Sequence, residues 1–308
     1  LEEVDDMKVT ITGATGLIGR RLVRALELRG DEVAVLSRDA KSASQQLGVE
    51  AFDWDPRRGL APTSGLSGRD GVVHLAGESV AQRWSPKTKR RIKESRVVGT
   101  HNLVGGLREA DNPPGVLISS SAVGYYGPRG DEVVQESEPQ GRGFLCEVCA
   151  DWEREAIVAE ALGIRVVRLR TGIVLDRSGG ALKQMLGPFK AGLGGPIAGG
   201  NHFMPWIHVD DVVAMTLSAL DSAQWVGPFN ATAPTPATNK EFTKSLGRAL
   251  GRPAVAPIPA IALKALYGEM SEILTTGQNA QPAAALGLGH EFTHTDLDEA
   301  LKAALSLS

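Results

Sequence analysis

Three glycines at short spacing are the first residues of this chain whose types and positions suit chemistry. They lie in Thr12-Gly13-Ala14-Thr15-Gly16-Leu17-Ile18-Gly19, directly after an apolar run at residues 8–11 and at the start of a helical pattern. Gly13 permits a tight turn, Gly16 lets backbone approach a diphosphate, and Gly19 lets the helix sit close to the strand. Free N–H groups and the helix dipole at such a turn favour an anion, so the loop, with Thr15, Leu17 and Ile18, is expected to hold a dinucleotide. The second apolar run ends Val35-Leu36-Ser37-Arg38, where an NAD-selective site usually carries an acid for the ribose 2′-hydroxyl. Arg38 offers instead a forked cation that matches a 2′-phosphate, and with Ser37 beside it the expected cofactor is NADP(H) in preference to NAD(H). Asp53 follows the third run and either faces the adenine or belongs to a turn, Asp53-Trp54-Asp55-Pro56.

Other reactive side chains form weaker patterns. Cys146 and Cys149 have the spacing of a thioredoxin-like pair, but they fall in the middle of a helical pattern, and no second ligand pair accompanies them to make a metal site. No metal is expected. His208 and Asp210 resemble a catalytic dyad in spacing only, and His74 reads as a strand-end histidine with satisfied hydrogen bonds. Arg170 and Lys190 either face an anionic substrate or carry solvated charge.

The elements that must position these residues alternate in the first half of the chain. Residues 8–11, 32–36, 49–52, 72–75, 116–119 and 165–169 read as strands, and residues 17–29, 87–108 and 144–162 as helices with apolar positions recurring every three or four. That order predicts an α/β fold: a Rossmann-type doubly wound parallel sheet with a smaller C-terminal α/β lobe. The cofactor domain is expected over residues 7–175 and the smaller substrate-side lobe, interleaved with it, over 176–308. In that lobe residues 239–250 and 296–305 have helical periodicity, with Thr238 and Thr295 as N-caps. Residues 1–6 read as a leader, with Met7 as the natural start, or as the tail of an upstream segment.

Composition agrees with a folded domain that needs no staples. The chain has 308 residues, 42% apolar and 22% charged, with a formal net charge of −3. No basic block marks a nucleic-acid or membrane surface, and no apolar run approaches the ~18 residues of a membrane span. Two cysteines suit a reducing cytoplasm, the expected location, and a small molecule is the expected partner.

Taken together, these residues resemble the extended branch of the short-chain dehydrogenase/reductase superfamily. Val73-His74-Leu75-Ala76-Gly77, Ser119-Ser120-Ser121 and Ile207-His208-Val209-Asp210-Asp211-Val212 agree with it. Val123-Gly124-Tyr125-Tyr126-Gly127, Cys149-Ala150-Asp151-Trp152-Glu153, Arg170-Thr171-Gly172-Ile173-Val174-Leu175 and Met204-Pro205-Trp206-Ile207-His208 are similar to its atypical "epimerase family" group, as is the tail with Phe229-Asn230-Ala231-Thr232-Ala233-Pro234 and Phe292. The resemblance implies that Leu75, Ala76, Gly77, Ser119 and Arg170 lie along the cofactor. It also implies a tyrosine that exchanges the substrate proton, with a lysine four residues later that lowers its pKa. Glu153 sets the register, and those two positions fall on Leu145 and Cys149, neither of which can do the work. The supporting asparagine corresponds to Arg96, and only the serine, Ser121, survives.

Three replacements stay open. Cys149 is a thiol acid or base if Arg96 or the cofactor's ring lowers its pKa, or else a buried packing residue. Tyr125 or Tyr126 supplies a phenol, or only walls the pocket. Ser121 donates a hydrogen bond to a substrate oxygen. Three functions follow: an NADP(H)-dependent, epimerase-like oxidoreductase of a small polar metabolite, a non-catalytic NADPH-binding regulator, and a nucleotide-sugar epimerase.

Overall fold

β-Branched and aliphatic runs that are apolar at successive positions make strands buried on both faces, as a parallel sheet requires. In the computed structural model, which describes residues 6–306, seven strands pair, the inner ones built of such runs: β1 (Lys8–Thr12), β2 (Glu32–Ser37), β3 (Glu50–Asp53), β4 (Gly71–His74), β5 (Val116–Ala122), β6 (Arg165–Thr171) and β7 (Gly227–Ala231). Their order across the sheet is β7-β6-β5-β4-β1-β2-β3, and every pairing is parallel. Neighbouring residues point to opposite layers. Val73, Ile118 and Val167 face a core completed by α1 (Leu17–Arg29), while Val72, Leu117 and Val166 face a core completed by Leu103, Val104 and Leu107. These three belong to a helix long enough to span the sheet. The chain is thus α/β, a doubly wound Rossmann-type sheet.

After α1, the helices in chain order are α2 (Ala40–Leu47), α3 (Pro86–Glu109), α4 (Phe144–Ile157), α5 (Gly180–Lys190), α6 (Val209–Asp221) and α7 (Asn239–Leu250), before shorter ones near the C-terminus. α3 starts on Ser85, whose hydroxyl accepts from the Thr88 N–H, with Pro86 in the first turn. α7 starts on a complete capping box between Thr238 and Glu241. Three expectations need correction. The helix expected through residue 162 is α-helical only to Ile157 and tightens into a 3₁₀ turn, Val158–Leu162. The last helix, Leu297–Ser306, is capped by Asp296 and not by Thr295, because the Asp296 carboxylate accepts from the Glu299 N–H at 3.0 Å. The fourth strand ends at His74 and not at residue 75. The leader expected at residues 1–6 lies almost wholly outside the described residues.

Residues beyond 175 contribute both to the sheet, through β7, and to a third core in which Leu175, Phe189, Trp206, Phe242, Leu246 and Leu301 pack together. Among the described residues no helix is long and apolar enough to cross a membrane.

Where strand order reverses, between β1 and β4, the sheet is tied by a buried imidazole. The ring nitrogens of His74 contact the hydroxyls of Thr12 at 2.7 Å and Thr100 at 3.1 Å, joining β1, β4 and α3. The Thr12 oxygen also accepts from the Ala76 N–H at 3.2 Å, which fixes the chain leaving β4. Burial pushes the His74 pKa down to about 4 from an ordinary 6.5, so the fold requires the neutral ring. The unfolded chain binds this proton first as pH falls. Stability from neutral His74 is therefore full above pH 6.5 and is lost as pH drops towards about 4, on the order of 3 kcal/mol in all. Urea midpoints measured through this window for the native protein and for His74→Gln should diverge, the variant showing the shallower pH dependence; identical slopes would remove His74 from the acid sensitivity.

Candidate cofactor cleft and the buried network beside it

Ligands of an open α/β sheet gather outside the carboxyl ends of its strands, at the point where strand order reverses. There the turn after β1 is sterically bound to glycine. Gly13 has φ +70°, and a Cβ on it would lie 2.8 Å from the Ala76 nitrogen. A Cβ on Gly19 would lie 2.6 Å from the Ala14 Cα, so α1 starts pressed against its own loop. Gly16 caps α1 without any side-chain hydrogen bond, and the first turn carries no acidic residue. Its N–H groups are left for an anion. In front of this turn a cleft of about 260 Å³ runs past Gly13, Thr15, Gly16, Ser37, Arg38, Leu75, Ala76 and Gly77. The glycine cradle and the uncapped helix end are the features that a diphosphate needs, and they fit a dinucleotide.

Leu17, Ile18 and Gly19 form the first turn of α1 and do not line the cleft. Arg38 stands exposed at its rim, with no ion pair among the described residues. Asp53 does not line the cleft; its carboxylate accepts from the Ala40 N–H at 2.9 Å and so anchors α2. The cleft wall is made instead by the residues after it, Trp54, Asp55, Pro56 and Arg57, together with Glu78 and Ser95, none of which the sequence singled out as cofactor ligands. The available signal was position: residues 54–57 leave β3 at the same sheet edge as Arg38 leaves β2.

Beyond the cleft, on β5, β6 and α4, lies a polar network closed to water. Glu153, 4% exposed, accepts from the Ser121 hydroxyl at 2.7 Å, from Arg170 Nε at 2.8 Å and Nη2 at 2.9 Å, and from Arg168 at 3.3 Å. Arg170 also donates to the Tyr126 hydroxyl at 2.9 Å, which in turn donates to Asn230 Oδ1 at 2.7 Å. Arg170, expected along the cofactor or facing an anionic substrate, is therefore spent inside the protein, its fork closed on a carboxylate. Burial works against its charge, but the Glu153 bonds outweigh it and raise its pKa above the ordinary value. Lys190 is exposed at the end of α5. Ser119 is fully buried, its hydroxyl donating to the Ser120 carbonyl at 3.3 Å.

The same network separates the acid–base candidates. Burial pushes the Tyr126 phenol up to about 12 despite Arg170 beside it. Cys149 is worse placed: burial drives its thiol up to about 12, and Arg96, expected to lower it, pulls in the right direction too weakly. A thiol with that pKa is no base near neutrality. Leu145 and Cys149 lie beneath the 3₁₀ turn Val123–Tyr126, where a Cβ on Gly124 would touch both side chains. Ser121 is committed to Glu153. Tyr125 is different, being only half buried, with the Arg170 guanidinium 3.6 Å from its ring centroid.

Cys146 and Cys149 are both free thiols, the former donating to the Arg142 carbonyl. His208 caps α6, its Nδ1 accepting from the Asp210 N–H, and packs at a tilt against His294 with centroids 3.8 Å apart. Although His208, Asp210 and His294 gather within 4.8 Å, that cap occupies the Nδ1 lone pair, and the group stands outside the cleft.

Removing the carboxylate alone leaves two buried guanidinium groups without a counter-charge. Glu153→Gln should lower unfolding free energy by about 3–5 kcal/mol in urea titration, the range for a broken buried pair; a loss below about 1 kcal/mol would mean that the network is solvated.

Comparison with known proteins agrees with this geometry. Residues 9–231 match the family model described as the NAD dependent epimerase/dehydratase family, and residues 258–304 match a domain of unknown function, DUF1731. The epimerase family protein SDR39U1 homolog, chloroplastic, of Arabidopsis thaliana is 39% identical over 310 residues, covering 99% of this chain and 88% of that protein. The crystal structure of human epimerase family protein SDR39U1 with NADPH superposes with a TM-score of 0.86 at 34% identity, covering 98% of this chain and all of that one. UDP-glucuronic acid 4-epimerase from Bacillus cereus, solved with UDP-glucuronic acid and NAD, shares the fold at 19% identity and a TM-score of 0.78, covering 97% of this chain and 98% of that one. Matched over more than half its length by the family model and nearly end to end by these relatives, the chain belongs to the NAD dependent epimerase/dehydratase family.

Proposed function

We propose that this protein binds NADP(H) in the glycine-lined cleft and acts as an epimerase-like oxidoreductase on a small polar substrate. The observation that carries the cofactor choice is Arg38, an unpaired guanidinium at the cleft rim where an NAD site would carry an acid. The human relative solved with NADPH supports it. Bound NADPH would supply the hydride. The amides around Gly13 and Gly16 would hold its diphosphate, Arg38 its ribose phosphate, and Leu75, Ala76 and Gly77 would pack along it.

Within this reading, Tyr125 is the group that holds or gives the substrate proton. It is the one candidate that is neither sealed by burial nor committed to Glu153, and the Arg170 guanidinium packs against its ring face. Glu153 then acts at one remove, fixing Arg170 and so the ring. A second reading, a regulator that binds NADPH without turnover, is favoured by Leu145 and Cys149 at the positions of the usual tyrosine and lysine and by the closed state of Ser121.

Isothermal calorimetry should give tighter binding of NADPH than NADH, and Arg38→Glu should weaken NADPH by about ten- to hundred-fold, the scale of one lost charge-assisted contact. Equal affinity of the native protein for the two dinucleotides would overturn the cofactor choice. With NADPH and a panel of carbonyl compounds, loss of nicotinamide absorbance is expected, and Tyr125→Phe should abolish it while leaving NADPH affinity unchanged. No oxidation with any compound would favour the regulator.

A further inference from the structure

Arg96 is a cation without a counter-ion. It projects from α3, and its Nη1 donates to the Glu78 carbonyl at 2.9 Å, the Ile92 carbonyl at 3.2 Å and the Ser95 hydroxyl at 3.4 Å. None of these partners is charged. Glu78, whose charge reaches Arg96 only through space, turns its carboxylate to Arg91 at 3.6 Å and to Gln82 at 3.3 Å, and Arg96 takes part in no ion pair among the described residues. Arg168 and Arg170, by contrast, share Glu153. Burial pulls the Arg96 pKa below its ordinary value, which registers how little opposes the desolvation.

Its surroundings point to what completes it. The guanidinium packs against Gly77, where an added Cβ would lie 3.4 Å from Cζ and Nη2, and over the Trp152 ring with Cζ 5.2 Å from the centroid. Gly77, Glu78 and Ser95, its three neighbours on this side, all line the cleft. Cys149, the other polar group near it, is a neutral thiol. The protein provides acceptors to Nη1 alone, and Nε and Nη2, which have no protein acceptor and are not sealed from water, are open to the oxygens of a ligand.

Resting on the NADP(H) reading above, we propose that Arg96 anchors the cofactor by binding the oxygen-rich half that lies beyond the adenosine, the second phosphate and the nicotinamide ribose. Arg38 reads the ribose phosphate at one end of the cleft, and Arg96 holds the other end from beneath Gly77. The positive charge lacking on α4 at Cys149 is supplied from α3.

The test compares two ligands by calorimetry. NADPH carries the whole dinucleotide, whereas 2′,5′-ADP carries the adenosine end and the ribose phosphate but neither the second phosphate nor the nicotinamide ribose. Arg96→Gln keeps an amide donor for the Glu78 and Ile92 carbonyls and removes the charge. It should weaken NADPH by about ten- to hundred-fold and leave 2′,5′-ADP within about two-fold, since one charge-assisted contact is lost and only to NADPH. Arg96→Lys, which keeps the charge, should recover most of the affinity. Should the glutamine variant fail to fold, as judged by its melting curve, the lysine variant carries the test: a loss of a few-fold for NADPH with none for the fragment supports the anchor, and no selective loss overturns it. Equal weakening of both ligands would make Arg96 a brace for residues 75–78 and end the proposal, as would unchanged NADPH binding. Native protein that binds neither ligand removes the NADP(H) reading itself; native protein that binds both, with no selective effect at position 96, removes only this inference.

Discussion

A carboxylate shut away from water must be paid for by positive charge and hydrogen bonds, and Glu153 receives both. Two guanidinium groups and one hydroxyl converge on it from β5 and β6, while the carboxylate itself comes from α4. Arg170 extends the set to Tyr126, and through that phenol to Asn230 on β7. The late strand β7 is further held by Glu136, which accepts from the Asn230 N–H at 2.9 Å and from the Ala284 N–H at 3.1 Å. Side chains that are distant in sequence thus lock the β5–β6–β7 half of the sheet into one arrangement. Both oxygens of Glu153 are taken up by these bonds. Through Arg170 it also fixes the surroundings of the Tyr125 ring.

The cofactor end is held by a different kind of force. Around Gly13 and Gly19 the constraint is steric: backbone of the β1 turn lies where any side chain would collide with Ala76 or Ala14. Thr12 and His74 add hydrogen bonds beneath that contact, tying the two strands on either side of the reversal in strand order. The result is a rigid wall of backbone amides with cations at its margins, Arg38 exposed and Arg96 half covered. Preorganised donors of this sort bind a polyanion without first having to be ordered.

Leucine and cysteine stand where the resemblance leads one to expect a tyrosine and a lysine, and the structure gives a physical account of why neither is a disguised substitute. Leu145 has nothing to ionise. Cys149 is buried too deeply for a thiolate, even with Arg96 nearby. The cations beside these positions come from α3 and β6, and the half-buried phenol of Tyr125 comes from the turn after β5.

The amino-acid sequence by itself determined the alternation of strands and helices, the glycine turn, the cation after β2 and the N-cap at Thr238, and it carried the family in its motifs. These are local properties: apolar periodicity, the freedom of glycine at positive φ and the reach of a capping side chain all act within a few residues. The end of the α-helix at Ile157, the cap at Asp296 and the attachment of Asp53 to α2 were missed because either of two adjacent geometries satisfies the same short pattern. Only the tertiary structure decided that Arg170 belongs to Glu153 and not to a ligand, that Cys149 is sealed, and that Arg57 and Trp54 wall the cleft. The state of a charged group depends on its desolvation and on partners brought from other strands. Position along the chain says which groups are available, and packing alone says which of them meet.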